Sequence, residues 1–143
     1  LAKTLNNKRI VIYAEANFSG VAERFRQQLN ENSKQLCWHH AIPEMNHNEL
    51  LGWTGGSEKY GVLIINSGDL SSKNLNRLQF SLDFIKKKTP HVFTIEGKGT
   101  SIIERSLFLI NIIDWSSLYY AENQNIDSVE INVIEDLKKH LIE

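Results

Sequence analysis

The sequence holds a single cysteine, two prolines and one methionine, and no unbroken apolar run reaches the roughly 18 residues that would suggest a membrane span. With Cys37 alone, no internal disulfide can form, so the fold rests on burial and hydrogen bonding. Charge of one sign is also lacking. Sixteen basic and 17 acidic side chains give a formal net charge of −1, without the basic stripe that marks nucleic-acid or anionic-membrane partners. Neither partner is expected. No charged-then-apolar leader appears in these residues, and a reducing, cytoplasmic location is the simplest expectation. The chain contains no G-x-G-x-x-G, no Walker loop and no G-x-S-x-G, so nucleotide binding and serine hydrolysis lack support and no cofactor is expected.

What is present suits one domain. A chain of 143 residues with 41% apolar content can bury an ordinary core. It opens on Leu1, and "LAKTLNNKR" reads like the polar end of something that began earlier, so a longer parent polypeptide is expected.

Apolar runs and helical periodicity alternate along the chain. "RIVIYA" (9–14), "LCWHHA" (36–41), "YGVLIINSG" (60–68) and "HVFTIE" (91–96) read as strands. The third is nearly continuous in apolar content, as a parallel strand covered on both faces should be. Helices are predicted over 17–32, 71–88, 100–122 and 128–142, with a short helical segment at 47–53. This order predicts an α/β fold: a three-layer α-β-α sandwich around a parallel sheet of four to five strands.

The helix predicted from Thr100 carries almost no polar face, since Ile102, Ile103, Leu107, Phe108, Ile112, Trp115 and Tyr119 spread around it. One sheet can cover one side only. A second surface, from a missing domain, a second subunit or the terminal helix, is expected on the other.

Three regions are candidates for chemistry. Glu31 sits near the end of its helix, where aligned peptide dipoles oppose a carboxylate by about 0.3–1 kcal/mol. That setting suits a base that must take and return a proton, although from the residue alone a solvated helix-end glutamate is the simpler explanation. His39 and His40 are adjacent on a strand, point to opposite faces and cannot serve one site. His47 follows "PEMN" at the edge of a short helix that Asn46 can cap. Glu44, His47 and Glu49 match no strong metal-ligand spacing, and no metal site is expected. "GKGT" (97–100) could hold a phosphate on free amides, but Ser101 and Glu104 form an S-x-x-E capping pattern that explains the same polarity.

"LNENSK" (29–34), "PEMNHNELLGW" (43–53), "ERSLFLINIIDWSSLYYA" (104–121) and "IEDLKKHL" (134–141) resemble the C-terminal half of the bifunctional phosphoglucose/phosphomannose isomerases, members of the sugar isomerase (SIS) superfamily. The first two segments carry the likeness most specifically, because they place a glutamate and a histidine 16 residues apart. The resemblance implies a flavodoxin-type SIS domain over residues 1–143. It also implies metal-free interconversion of glucose 6-phosphate or mannose 6-phosphate with fructose 6-phosphate through a cis-enediol. Glu31 matches the family's catalytic base and His47 the histidine that assists ring opening. Lys138 is the best match to an active-site lysine near the family's C-terminus, with Lys139 as the neighbouring alternative.

Geometry adds a condition. Glu31 and His47 flank one predicted strand whose six residues span about 20 Å, too far for one sugar. The resemblance supplies the histidine from a partner subunit, so a homodimer with composite sites is expected. A helix that follows a parallel strand ends at the amino edge of the sheet, whereas ligands of open α/β sheets sit beyond the carboxyl ends; Glu31 follows the family rather than that rule. In the family, the phosphate loops and an arginine belong to an N-terminal SIS domain that this chain does not contain. The chain alone is therefore expected to be nearly inactive. Two alternatives remain open: a non-catalytic sugar-phosphate-binding module, and a purely structural dimerisation domain.

Overall fold

The computed structural model describes residues 1–142. Strands β1 (Arg9–Glu15), β2 (Trp38–Ile42), β3 (Tyr60–Asn66) and β4 (Val92–Glu96) form one all-parallel sheet in the order β2-β1-β3-β4. Helix α1 (Ser19–Ser33) returns the chain from β1 to β2, and the short α2 (Glu49–Gly52) lies between β2 and β3. Helix α3 (Ser72–Ile85) connects β3 to β4, and α4 (Ile102–Asn123) and α5 (Asn132–His140) follow. The alternation is the expected one, with four strands.

Side-chain alternation along the strands builds two cores. Ile10, Ile12 and Ala14 of β1, with Leu63 and Ile65 of β3, meet Val21, Ala22, Phe25 and Leu29 of α1 and Leu109 and Ile113 of α4. On the opposite face Val11 and Tyr13, with Val62 and Ile64, meet Met45, Trp53, Leu78 and Ile85. The result is an α-β-α sandwich. Each large aliphatic side chain sealed in these layers contributes about 1.5–3 kcal/mol relative to exposure.

Helix ends follow local chemistry. Lys34, in the left-handed region at φ 51°, closes α1, and the backbone amides of Lys34 and Gln35 both donate to the Leu29 carbonyl. This cap consumes residues 34 and 35, so β2 begins at Trp38 rather than at Leu36, which is left exposed. At α4, the Ser101 hydroxyl accepts the Glu104 amide while the Glu104 carboxylate accepts the amides of Thr100 and Ser101.

Helix α4 buries Leu109, Ile113, Tyr120 and Ala121 and leaves the other side open, with Ile103, Leu107, Trp115 and Tyr119 each more than half exposed. The terminal helix does not cover it. Helix α5 is shorter than the predicted 128–142, and among the described residues it buries none of its side chains. Its apolar positions Val133 and Leu137, and Leu141 just beyond it, face solvent.

Candidate active site

Glu31 stands in the last turn of α1, exposed, with its neighbours anchored. The Asn32 amide donates to the Ser117 hydroxyl at 2.8 Å, and the Ser33 hydroxyl donates to the Ser117 carbonyl at 2.7 Å. One turn of α4 thus fixes the backbone on the C-terminal side of Glu31. Farther back, Arg24 grips Asp114 with two hydrogen bonds of 3.0 and 2.7 Å. The Glu31 carboxylate itself has no hydrogen-bond partner among the described residues. It borders an open groove of about 460 Å³ between the end of α1, with Gln27, Asn30 and Lys34, and the start of α5, with Ile131 and Ile134. The Lys34 ammonium donates to the carbonyls of Glu31 and Asp127 at 3.0 and 2.9 Å, tying the two walls together.

His47 is exposed too, on the segment that leaves β2. Met45 is buried, and the Asn46 amide donates to the Ser81 hydroxyl of α3 at 2.6 Å. Asn46 therefore does not cap α2. That role falls to Asn48, whose side-chain oxygen accepts the Glu49 amide at 2.5 Å. Asn46 is spent on the tertiary contact because a three-residue turn (Glu44–Asn46) places it against α3 before α2 begins.

The two residues lie at opposite edges of the sheet. Helix α1 runs back to the amino edge and delivers Glu31 there, whereas His47 follows the carboxyl end of β2. The five residues of β2 alone span roughly 15 Å. Lys138, in the last turn of α5, is exposed on the helix whose start walls the Glu31 groove. The fold thus leaves Glu31 and His47 apart within one protomer.

The paired histidines separate as alternation requires. The His40 Nδ1 meets Glu49 Oε2 at 2.8 Å. His39 turns toward α1, where burial, and then the Arg26 charge, lowers its pKa from the usual 6.5, so the ring stays neutral at neutral pH.

Glu49, which enters the sequence reading only within a weak metal-ligand spacing, is the best-connected carboxylate in the region. Its Oε1 accepts the Tyr13 hydroxyl at 2.5 Å and the Trp38 indole N–H at 2.8 Å. The Tyr13 hydroxyl in turn accepts the Trp53 indole N–H at 2.7 Å. Burial and the Glu49 hydrogen bond push the Tyr13 phenol far above its ordinary pKa. The available signal is parity: Tyr13 pairs with His40 and Val11 with Trp38 in the ladder, so these side chains share a face.

The glycine loop before α4 is filled by its own side chains. Glu104 takes the Thr100 and Ser101 amides, and Arg105 pairs with Asp69 and donates to the Gly99 carbonyl at 3.2 Å. The Thr100 and Ser101 amides are capped rather than free for a phosphate.

The chain matches the family described as "Bacterial phospho-glucose isomerase C-terminal SIS domain" over residues 1–141. It is 32% identical over 137 residues to a bifunctional phosphoglucose/phosphomannose isomerase of Aquifex aeolicus, covering 92% of this chain and 42% of that protein. The protein of the same name from Caldicellulosiruptor bescii is 31% identical, with 100% of this chain and 44% of the relative covered. The chain therefore spans less than half the length of these relatives. Among solved structures, a glucose-6-phosphate isomerase-like protein from Thermus thermophilus has the same fold, with a TM-score of 0.72 at 14% identity over 96% of this chain and 45% of that one. No helix among the described residues is long and apolar enough to cross a membrane.

Proposed function

Because this chain belongs to the bacterial phospho-glucose isomerase C-terminal SIS domain family, we propose that it is the part of a sugar-phosphate aldose–ketose isomerase that carries the proton-transferring groups. The substrates are glucose 6-phosphate and mannose 6-phosphate, interconverted with fructose 6-phosphate. His47 opens the ring by moving a proton between the ring oxygen and the C1 hydroxyl. The Glu31 carboxylate then takes the proton from C2 as O1 gains one, giving a cis-enediol, and returns its proton to C1 as the O2 proton leaves. The sugar is isomerised and both side chains recover their starting state. Lys138 contributes a positive charge at the same site.

The observation that carries this reading is the separation of Glu31 from His47 on opposite edges of one sheet. Two exposed groups suited to successive proton transfers, held rigidly but apart, serve one hexose when a twofold pair brings Glu31 of one protomer to His47 of its partner. The relatives' extra length supports a further domain that grips the phosphate and converts remote binding energy into alignment of C1 and C2.

Subunit mixing tests the proposal. Full-length Glu31→Gln and His47→Ala variants are each expected to lose activity. When they are dissociated and reassociated together, half of the dimers pair the two variants, and one of the two sites in each is then intact. Activity should return to about one quarter of wild type. No recovery despite confirmed subunit exchange would refute composite sites.

A further inference from the structure

The segment carrying His47 depends on a helix too short to hold itself. Helix α2 has four residues, Glu49–Gly52, and a single turn is unfavourable by itself because it fixes many dihedrals for one hydrogen bond. Its start is held by the Asn48 cap and, beyond that, by the Glu49 side chain. The Tyr13 hydroxyl and the Trp38 indole share Oε1, at 2.5 and 2.8 Å, and the His40 Nδ1 takes Oε2 at 2.8 Å. A carboxylate only accepts, so His40 must carry its proton on Nδ1 and Tyr13 must be the donor. Tyr13 can do so because its own oxygen receives the Trp53 N–H at 2.7 Å. One carboxylate therefore joins β1, β2 and the turn after α2. On the other side of His47, Asn46 is fastened to Ser81 and Met45 is buried. His47 is an exposed residue between these anchors.

We propose that Glu49 is the positioning residue for His47: its three-donor junction sets the angle at which the exposed imidazole is presented. The inference rests on His47 acting in ring opening. It goes beyond that reading because it assigns the orientation of His47 to a residue that touches neither His47 nor substrate. A group acting through His47 must fail in the ring-opening step and not in proton transfer at C2, which belongs to Glu31.

The test separates those steps in the full-length protein. Anomer interconversion of glucose 6-phosphate is followed by exchange NMR, and deuterium exchange at the carbon next to the carbonyl is followed with fructose 6-phosphate. Glu49→Ala is expected to slow anomer interconversion tenfold or more while carbon exchange stays within about twofold. On a His47→Ala background it should add no further loss. Glu49→Gln keeps an acceptor for Tyr13 and Trp38 and should recover most of the rate. If Glu49→Ala does not fold, Trp38→Phe removes one donor at a partly exposed ring and should show the same selective loss in smaller measure. Equal loss in both steps, or a full multiplicative loss on top of His47→Ala, overturns the positioning role alone. An unaltered anomer rate in His47→Ala itself overturns the ring-opening reading and this inference together.

Discussion

Ser67, the first residue after β3, donates its hydroxyl at 2.6 Å to the carboxylate of Glu15, the last residue of the neighbouring strand β1. The same oxygen accepts the Asp69 amide at 3.0 Å. Both residues are buried, Ser67 completely and Glu15 to within 9%. This junction lies where strand order reverses, between β1 and β3. Ser67→Ala removes one acceptor and one donor at once and should cost about 1–3 kcal/mol. Urea unfolding with an unchanged slope would check it, and a loss below about 0.5 kcal/mol, the range of ordinary surface changes, would contradict it.

The capping box of α4 yields a paired prediction. Ser101→Ala should lower stability by about 0.5–2 kcal/mol and raise hydrogen exchange at the Glu104 amide. The Glu104 carboxyl is held below the usual carboxylate range, chiefly by the Thr100 hydroxyl and then by the Thr100 and Ser101 amides. A depressed carboxylate stabilises the fold above its ordinary pKa, and that contribution disappears as pH falls through the lowered value. Carboxyl NMR should show Glu104 titrating at lower pH than in Thr100→Val.

Cys37 should be sluggish toward alkylation near neutrality. Burial raises its thiol from 9.0 to about 11, partly offset by the Arg26 charge, so the reactive thiolate is scarce at pH 7. The sign of the linkage follows. An acid whose folded pKa is raised keeps its full contribution below the unfolded value and loses it as pH climbs through the folded one. Stability should therefore decline between about pH 9 and 11, and Cys37→Ala should flatten the early part of that decline, below the range where tyrosines join. Fast reaction with iodoacetamide at pH 7 in the folded chain would sink this account.

The 143-residue chain by itself should show turnover far below the roughly 10 s⁻¹ typical of enzymes, since it spans less than half of its relatives. A coupled assay is the direct check. The melting temperature sets the binding-module reading apart: a self-sufficient sugar-phosphate-binding module would gain several degrees at saturating millimolar ligand, whereas a domain that borrows its phosphate grip elsewhere, or a purely structural dimerisation domain, would not shift.

The layers of this fold are readable because burial on both faces leaves an unmistakable run such as "YGVLIIN", and because Val21, Ala22, Phe25 and Leu29 keep helical spacing and are all buried. Glu31 and His47 stand out through a motif likeness, and their separation through counting strand residues. What stays hidden depends on contacts between distant segments. The Glu49 junction joins residues 36 positions apart in the chain, and nothing local to "HNELLGW" specifies the ladder register that puts Tyr13, Trp38 and His40 on one face. The exchange of roles between Asn46 and Asn48 has the same origin: either asparagine can cap by type, but the turn over Glu44–Asn46 and the contact with Ser81, 35 positions away, take Asn46 out of that role.

Helix α5 adds little to the cohesion of the domain that bears it, since all of its side chains are exposed even where its start walls the Glu31 groove. Removing residues 128–143 should leave the unfolding free energy within about 0.5 kcal/mol while deleting Lys138. On the composite-site proposal, a segment whose loss the host tolerates is answerable to what it meets in the dimer. Changes at Val133, Ile134 and Leu137 should therefore track the shape of an adjoining surface and be indifferent to the packing of this sheet.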